Sequence, residues 1–235
     1  MKFQRVLLKL SGEALAGSAH QGFDPQVLNE YAKSIADARS TGAEIALVVG
    51  GGNIYRGASG EQTGRWRVKG DQMGMLATII NALAIAQPLD KENCSSEVFS
   101  AFSTEPVARP YTIEAVEEAL AEQKVAILTA GTGNPFFTTD SAAALRACEL
   151  HCDALLKGTR VNGIYDCDPE RHPDALRFEK LTFAEAYERR LRIMDLTAFT
   201  LCQENEIPIV VFNMNQIGAL GRLLRGEPIG SIVQN

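Results

Sequence analysis

Short apolar runs alternate along the whole chain with longer stretches in which apolar residues return every three or four positions. The first pattern is that of buried strands, the second that of helices with one apolar face. Strands are expected over residues 3–10, 44–49, 96–100, 124–129, 153–157, 207–212 and 230–233. Asp24-Pro25 starts a helix whose apolar face is Val27, Leu28, Tyr31, Ile35 and Ala38, ended by Gly42. Asp71 opens a helix that is apolar nearly all round (Met73, Met75, Leu76, Ile79, Ile80, Leu83, Ile85), and Pro88 stops it. Thr112 and Thr182 cap helices to Ala121 and Arg190, and others begin at Asp140, near Asp195 and at Ile217. Such alternation builds a mostly parallel open sheet covered by helices on both faces, a three-layer αβα sandwich. With no internal repeat, low-complexity tract or linker, residues 1–235 read as a single α/β domain.

Bulk composition narrows the class without choosing a function. Hydrophobic residues at 46% and charged residues at 22% are those of a globular protein, and no apolar run of eighteen residues suggests a membrane span. Residues 1–8 have too short an apolar core for a secretory signal. A net charge of −6 argues against nonspecific nucleic-acid binding, so any phosphate chemistry must rest on local cations. The cysteines, Cys94, Cys148, Cys152, Cys167 and Cys202, are odd in number and contain no Cys-x-x-Cys pair, which suits reduced thiols in a cytoplasm. Cys148 and Cys152 stand four apart on a helix without a second ligand pair, and read as buried structural thiols.

Candidate chemistry gathers where strands end. Lys124–Thr129 runs into Gly131-Thr-Gly-Asn-Pro-Phe-Phe-Thr-Thr-Asp140, where glycines permit close backbone approach and a helix N-terminus follows. That loop favours an anion, yet Asp140 would repel a phosphate unless a lysine or a metal lay between them. Thr139 or Asp140 as a plain helix cap is the simpler alternative. Lys9-Leu10-Ser11-Gly12 ends the first strand with a candidate phosphate-binding cation. Gly50-Gly51-Gly52 leaves backbone N–H groups uncovered, and Arg56 adds a forked donor for phosphate oxygens. Residues 57–70 read as a polar loop, and Asp71 as a helix cap or an acceptor for ribose hydroxyls. A further strand ends at Lys157, and Thr159, Tyr165, Asp166 and Asp168 follow, able to take a nucleoside or simply to form turns.

Together the strand ends hold more phosphate than one mononucleotide carries. Lys9, Lys157 and Arg56 would neutralise a phosphoryl group in flight, with Asp140 orienting lysines or helping to position the magnesium of a nucleoside triphosphate. The P-loop pattern Gly-x4-Gly-Lys-Ser/Thr, the third glycine of a dinucleotide fingerprint, Gly-x-Ser-x-Gly and His-Glu-x-x-His are all missing from the chain.

These motifs carry a resemblance. Lys9-Leu-Ser-Gly-Glu-Ala, Gly50-Gly-Gly-Asn-Ile-Tyr-Arg-Gly, Gly70-Asp-Gln-Met-Gly-Met-Leu-Ala-Thr, the 131–143 stretch, Met194-Asp-Leu-Thr-Ala-Phe-Thr and Val211-Phe-Asn-Met-Asn lie in order along the chain. They resemble the bacterial uridylate (UMP) kinases of the amino acid kinase superfamily. The resemblance implies the amino acid kinase fold and MgATP-dependent conversion of UMP to UDP in pyrimidine nucleotide synthesis. It also implies a cytoplasmic homohexamer activated by GTP and inhibited by UTP. Carried over by motif, Lys9, Leu10, Ser11, Gly12, Gly52, Arg56, Thr159, Tyr165 and Asp168 fall at ATP positions. Gly51, Asp71, Thr132, Gly133, Asn134, Pro135, Phe136, Phe137, Thr138 and Thr139 fall at UMP positions. Lys9, Asp140 and Lys157 are the catalytic candidates, Lys157 as much by chemistry as by motif. No protein metal site is implied, since Mg2+ arrives on the ATP phosphates. The UMP site would draw mainly on the N-terminal half and the 131–140 loop, the ATP site on the C-terminal half. Residues 17–22 and 57–70 depart from the usual forms of the family. A nucleotide-sensing regulator of the same fold, or a related kinase acting on CMP or a small acid, is the alternative.

Overall fold

The computed structural model describes residues 3–19, 21–55 and 65–235. Its strands are β1 (Arg5–Leu10), β2 (Glu44–Val49), β3 (Ser96–Ser100), β4 (Arg109–Pro110), β5 (Val125–Thr129), β6 (Ala154–Thr159), β7 (Ile164–Tyr165), β8 (Arg177–Phe178), β9 (Lys180–Leu181), β10 (Ile209–Asn213) and β11 (Ser231–Val233). Nine of them form one sheet in the order β4-β3-β5-β2-β1-β6-β10-β11-β9, while β7 and β8 make a separate ribbon. Each pairing from β4 across to β10 is parallel, and β11 returns antiparallel to β10.

The period-two alternation of β1 explains the layering. Val6, Leu8 and Leu10 face α1 (Pro25–Arg39), α2 (Arg65–Lys91) and α7 (Ala219–Leu224), where Tyr31, Ile35, Ile85, Leu89 and Leu220 complete a core. Leu7, with Ala46 and Val48 of β2, faces the other way, toward α3 (Ile113–Ala121), α4 (Thr139–Glu149), α5 (Phe183–Glu188) and α6 (Leu196–Glu204). The central strands β1, β2, β5, β6 and β10 are largely buried on both faces, as a parallel sheet requires. The expected three-layer arrangement around a mostly parallel sheet is what the chain adopts.

Two expectations about α2 are corrected. The helix starts at Arg65, so Asp71 lies inside it rather than at its head, and it runs past Pro88 to Lys91. Gly70 reads locally as a loop residue, but an ion pair from Arg67 to Asp71, one turn on, spans it. Pro88 falls in the closing turns, where one lost N–H interrupts little of the ladder. Extended in this way, Trp66–Lys91 is long and apolar enough to cross a membrane, contrary to the expectation that no such stretch exists; half of its apolar eighteen-residue window is buried inside the fold. Smaller differences sit at helix ends: α5 stops at Glu188 and α7 begins at Ala219.

Chain direction reverses beside β1. The path leaves β1 for β2 on one side and later enters β6 on the other, which makes the carboxyl ends of β1 and β6 a topological switch point. Glycine lets the loops there close on one another. A Cβ at Gly12 would press into the Gly50 carbonyl oxygen and stand 2.7 Å from Asn53 Oδ1. Gly12→Ala is therefore expected to cost about 1–3 kcal/mol of stability, as overpacking does, measured by denaturant unfolding; an unchanged midpoint would mean the loops separate freely.

Candidate active site

β1 and β6 pair in a register that sets Lys9 directly beside Lys157. Both belong to the same alternating positions as Leu7 and Leu155, so both side chains leave the sheet toward α4 and α6. Two ammonium groups placed so closely repel one another unless an anion intervenes. Asp140, in the first turn of α4, is that anion. Lys9 Nζ lies 2.7 Å from Asp140 Oδ1 and Lys157 Nζ 2.9 Å from Oδ2, with side-chain exposures of 12%, 18% and 15% for Lys9, Lys157 and Asp140. Lys157 also donates to the Ile193 carbonyl at 2.7 Å.

Burial opposes the charge on Asp140, but the two lysines outweigh it and hold its pKa below the usual carboxylate value. For Lys157 burial wins: despite Asp140, its pKa lies below that of an ordinary lysine, and the charge of Lys9 pushes in the same direction. Thr138 caps α4 by accepting from the Ser141 N–H. The remaining free N–H groups of that helix start add positive potential beside the lysines.

A cavity of about 260 Å³ opens on one side of this centre, lined by Gly51, Gly52, Tyr55, Arg67, Asp71, Thr78, Thr132, Asn134, Phe137, Thr138 and Thr139 among others. Its polar fixture is Asp71, which accepts Arg67 Nε on both carboxylate oxygens at 2.9 Å and the Phe136 N–H on Oδ2 at 2.7 Å. The Arg67 guanidinium also stands 5.7 Å from the Phe136 ring centre. Phe136 itself is exposed with φ of 70°, a left-handed conformation that a bulky residue adopts only when held. Ala130, with φ of 61°, is pinned in turn by Thr78 of α2, whose hydroxyl accepts its N–H at 2.8 Å.

A second cavity, about 220 Å³, opens on the opposite side. Lys157, Thr159, Val161, Gly163, Ile164, Tyr165, Cys167, Pro169, Leu191, Arg192, Ile193 and Val211 line it. Lys157 thus stands between a predominantly apolar slot and the acidic residue it shares with Lys9.

A model of the amino acid kinase family matches residues 4–213. The chain belongs to that family. It is 50% identical to the uridylate kinase of Porphyromonas gingivalis over 99% of this chain and 98% of that one. Among solved structures, the UMP kinase from Bacillus anthracis superposes with a TM-score of 0.93 at 33% identity, covering 99% of this chain and 96% of that one. The UMP kinase from Ureaplasma parvum gives 0.90 at 35% identity over the full length of both. The resemblance read from the motifs is borne out, and with it the expectation of a kinase.

Within this family fold, the residues singled out from sequence separate into three groups. Lys9, Asp140 and Lys157 converge; Gly51, Asp71, Thr132, Asn134, Phe137, Thr138 and Thr139 share the first cavity, and Thr159 and Tyr165 the second. Gly52, expected with ATP, also lines the first cavity. Other residues stand apart. Leu10 is fully buried in the core on the α1 side, Gly133 packs on Ala101, and Asp168 accepts the Glu170 N–H in a turn. Ser11 and Pro135 line neither cavity, and Arg56 lies outside the described residues. Cys152 and Cys202 are buried thiols pushed up to about 12 by burial, and the described residues contain no metal-ligand cluster of three or more.

Three contributors were not recognised in the sequence: Arg67, Arg192 and Asp195. Asp195 caps α6 through the Ala198 N–H, accepts the Ser141 hydroxyl at 3.0 Å and also accepts the Thr138 hydroxyl. It ties the first-cavity loop to the segment over the second. Its local signal is a helix-cap position within the Met194-Asp195 motif.

Asp140→Asn keeps the shape of the central residue and removes its charge. Turnover is expected to fall by at least about 10²-fold, with nucleotide binding by calorimetry changed far less. Breaking both pairs should also lower stability by about 3–5 kcal/mol, as for other buried ion pairs that lose one partner. Near-native turnover in this variant would remove Asp140 from the chemistry.

Proposed function

We propose that the protein is a UMP kinase that transfers the γ-phosphoryl group of MgATP to UMP, giving UDP and ADP for pyrimidine nucleotide synthesis. The observation that carries this reading is the Lys9–Asp140–Lys157 centre between two cavities, in a chain aligned end to end with relatives named uridylate kinase. UMP would occupy the first cavity, with Asp71 toward its ribose, the Gly51–Gly52 backbone toward its phosphate, and the 132–139 run around the base. ATP would occupy the second, with its phosphates directed to Lys9, Lys157, Ser11 and Gly12 and its nucleoside near Thr159, Tyr165 and Asp168. A phosphate oxygen of UMP attacks the γ-phosphorus while the bond to the β,γ-bridging oxygen breaks and the electron pair leaves with ADP. Lys9 and Lys157 offset charge on the group in transit, and Asp140 fixes both ammonium positions before it arrives. No protein nucleophile takes part.

Mg2+ enters as part of the substrate. Both oxygens of Asp140 already meet ammonium groups, and the described residues offer no carboxylate cluster to cage a hard cation; coordination mainly by ATP phosphates suits this donor set. The whole chain acts as one domain, with acceptor and donor halves meeting at the switch point. The free cysteines fit a reducing cytoplasm. Activation by GTP and inhibition by UTP are part of the same proposal and rest on the family resemblance.

Self-association has support of its own. Met73, Leu76, Ile80 and Leu83 of α2 are 45–49% exposed at helical spacing, an apolar stripe on the face opposite to the one that enters the core. A second copy of the same stripe is its natural cover, as one contact within a homohexamer.

Three measurements test the proposal. Chromatography of products formed from MgATP should show UDP, with UMP strongly preferred over CMP; binding of both nucleotides without turnover would favour the sensing reading. The rate should decline on the alkaline side with an apparent pKa below the ordinary lysine value, because the charged form of Lys157 is the active one and its fraction falls as pH rises. Lys157→Arg, whose guanidinium stays protonated, should lose that decline; an unchanged alkaline limb would point to another group. Ile80→Asp should yield a smaller species in sedimentation, and an unaltered assembly would place the contact elsewhere.

A further inference from the structure

Asn53 and Asn81 line neither cavity and are 2% and 0% exposed. Their carboxamides face one another. Asn81 Nδ2 donates to Asn53 Oδ1 at 2.7 Å and to the Gly50 carbonyl at 2.5 Å. Asn53 Nδ2 donates to Asn81 Oδ1 at 3.1 Å and to the Gly22 carbonyl at 2.8 Å, and the Gly22 N–H returns a bond to the Asn53 carbonyl at 3.0 Å. Each carboxamide therefore uses both N–H donors. The backbone carbonyls accept only, which fixes which way each amide points.

An apolar pair would fill this space without the desolvation that two carboxamides require. What an apolar pair could not do is hold the Gly50 carbonyl in one direction. The Gly50–Gly52 loop lies between two elements of the proposed site. On one side is the turn that follows Lys9, where Gly12 has no room for a side chain against Gly50 and Asn53. On the other is α2, which a Cβ at Gly51 would meet at the Gly74 carbonyl, 2.7 Å away. The same helix carries Asp71 and Thr78, so Asn81 joins the acceptor-side helix to the glycine loop and, through it, to the strand end bearing Lys9.

We infer that the Asn53–Asn81 pair is a positioning device for phosphoryl transfer, setting the Gly50–Gly52 backbone and the acceptor helix at the separation that aligns the acceptor phosphate with the Lys9–Asp140–Lys157 centre. The inference rests on the proposed reaction. Neither asparagine touches substrate; each acts through the backbone it holds. A displacement of about 1 Å in such a site lowers turnover by about 10²-fold without abolishing binding.

The test compares Asn81→Ala and Asn81→Ser with the unchanged full-length protein. UDP formation is followed by chromatography across a range of MgATP and UMP concentrations, each protein being assayed well below its own melting midpoint. Asn81→Ala should lose about 10²-fold in kcat with both KM values changed less than about threefold. Asn81→Ser, which keeps one hydroxyl donor for the Gly50 carbonyl, should lose less. A purely structural pair would lower the melting midpoint and leave kcat native, so native kcat in either folded variant overturns the inference, as does failure of both variants to fold. If the unchanged protein forms no UDP, the proposed reaction falls, and the inference with it; native turnover in the variants overturns the inference alone.

Discussion

Two like charges set side by side on neighbouring strands are the constraint from which the rest of the site follows. Register places Lys9 beside Lys157, and in a mostly buried setting that pair is unfavourable without a counter-charge. Asp140 supplies it from α4, so the helix must start where its first turn reaches between the strand ends. Thr138 and Asp195 secure that start. A net positive centre remains after pairing, held rigidly and partly desolvated, which is the condition under which a fixed cation does most for a phosphoryl group in transit.

Everything else near the switch point concerns how closely backbone can approach that centre. Gly12 is packed so tightly against Gly50 and Asn53, and Gly51 against α2, that side chains at these two positions would collide. The 130–139 loop, by contrast, is held from outside: Thr78 takes the Ala130 N–H, Asp71 the Phe136 N–H and Asp195 the Thr138 hydroxyl. One helix, α2, supplies two of these three anchors as well as Asn81. Its outer apolar stripe lies along the same element, so covering that stripe with another copy would steady the acceptor side.

Much of this was legible in local pattern. Strands ending in lysine or glycine, with helices following, placed Lys9, Asp140 and Lys157 as candidates, because parallel strands bring their carboxyl ends to one edge. Their mutual contact was not legible, since it depends on β6 lying next to β1, a matter of strand order that no local window encodes. Arg67 was hidden for a different reason. A polar stretch punctuated by Gly64 and Gly70 reads as loop, and the pairing of Arg67 with Asp71 one turn further along α2 shows otherwise. Asp195 and Asn81 look like an ordinary cap and an ordinary helix position. Their partners lie more than twenty-five residues away.

The state of Asp71 bears on how an acceptor nucleoside would be received. An ionised carboxylate has about four lone-pair positions. The Arg67 Nε–H is shared between both oxygens and the Phe136 N–H occupies Oδ2, which leaves acceptor capacity chiefly on Oδ1. A ribose hydroxyl bound in the first cavity, as proposed, would find that acceptor without displacing either partner. The left-handed Phe136, a conformation costing about 1–3 kcal/mol, is already held by these contacts. For a nucleotide bound there as proposed, that ordering would already be complete on folding, leaving more of the binding energy to act on the phosphates.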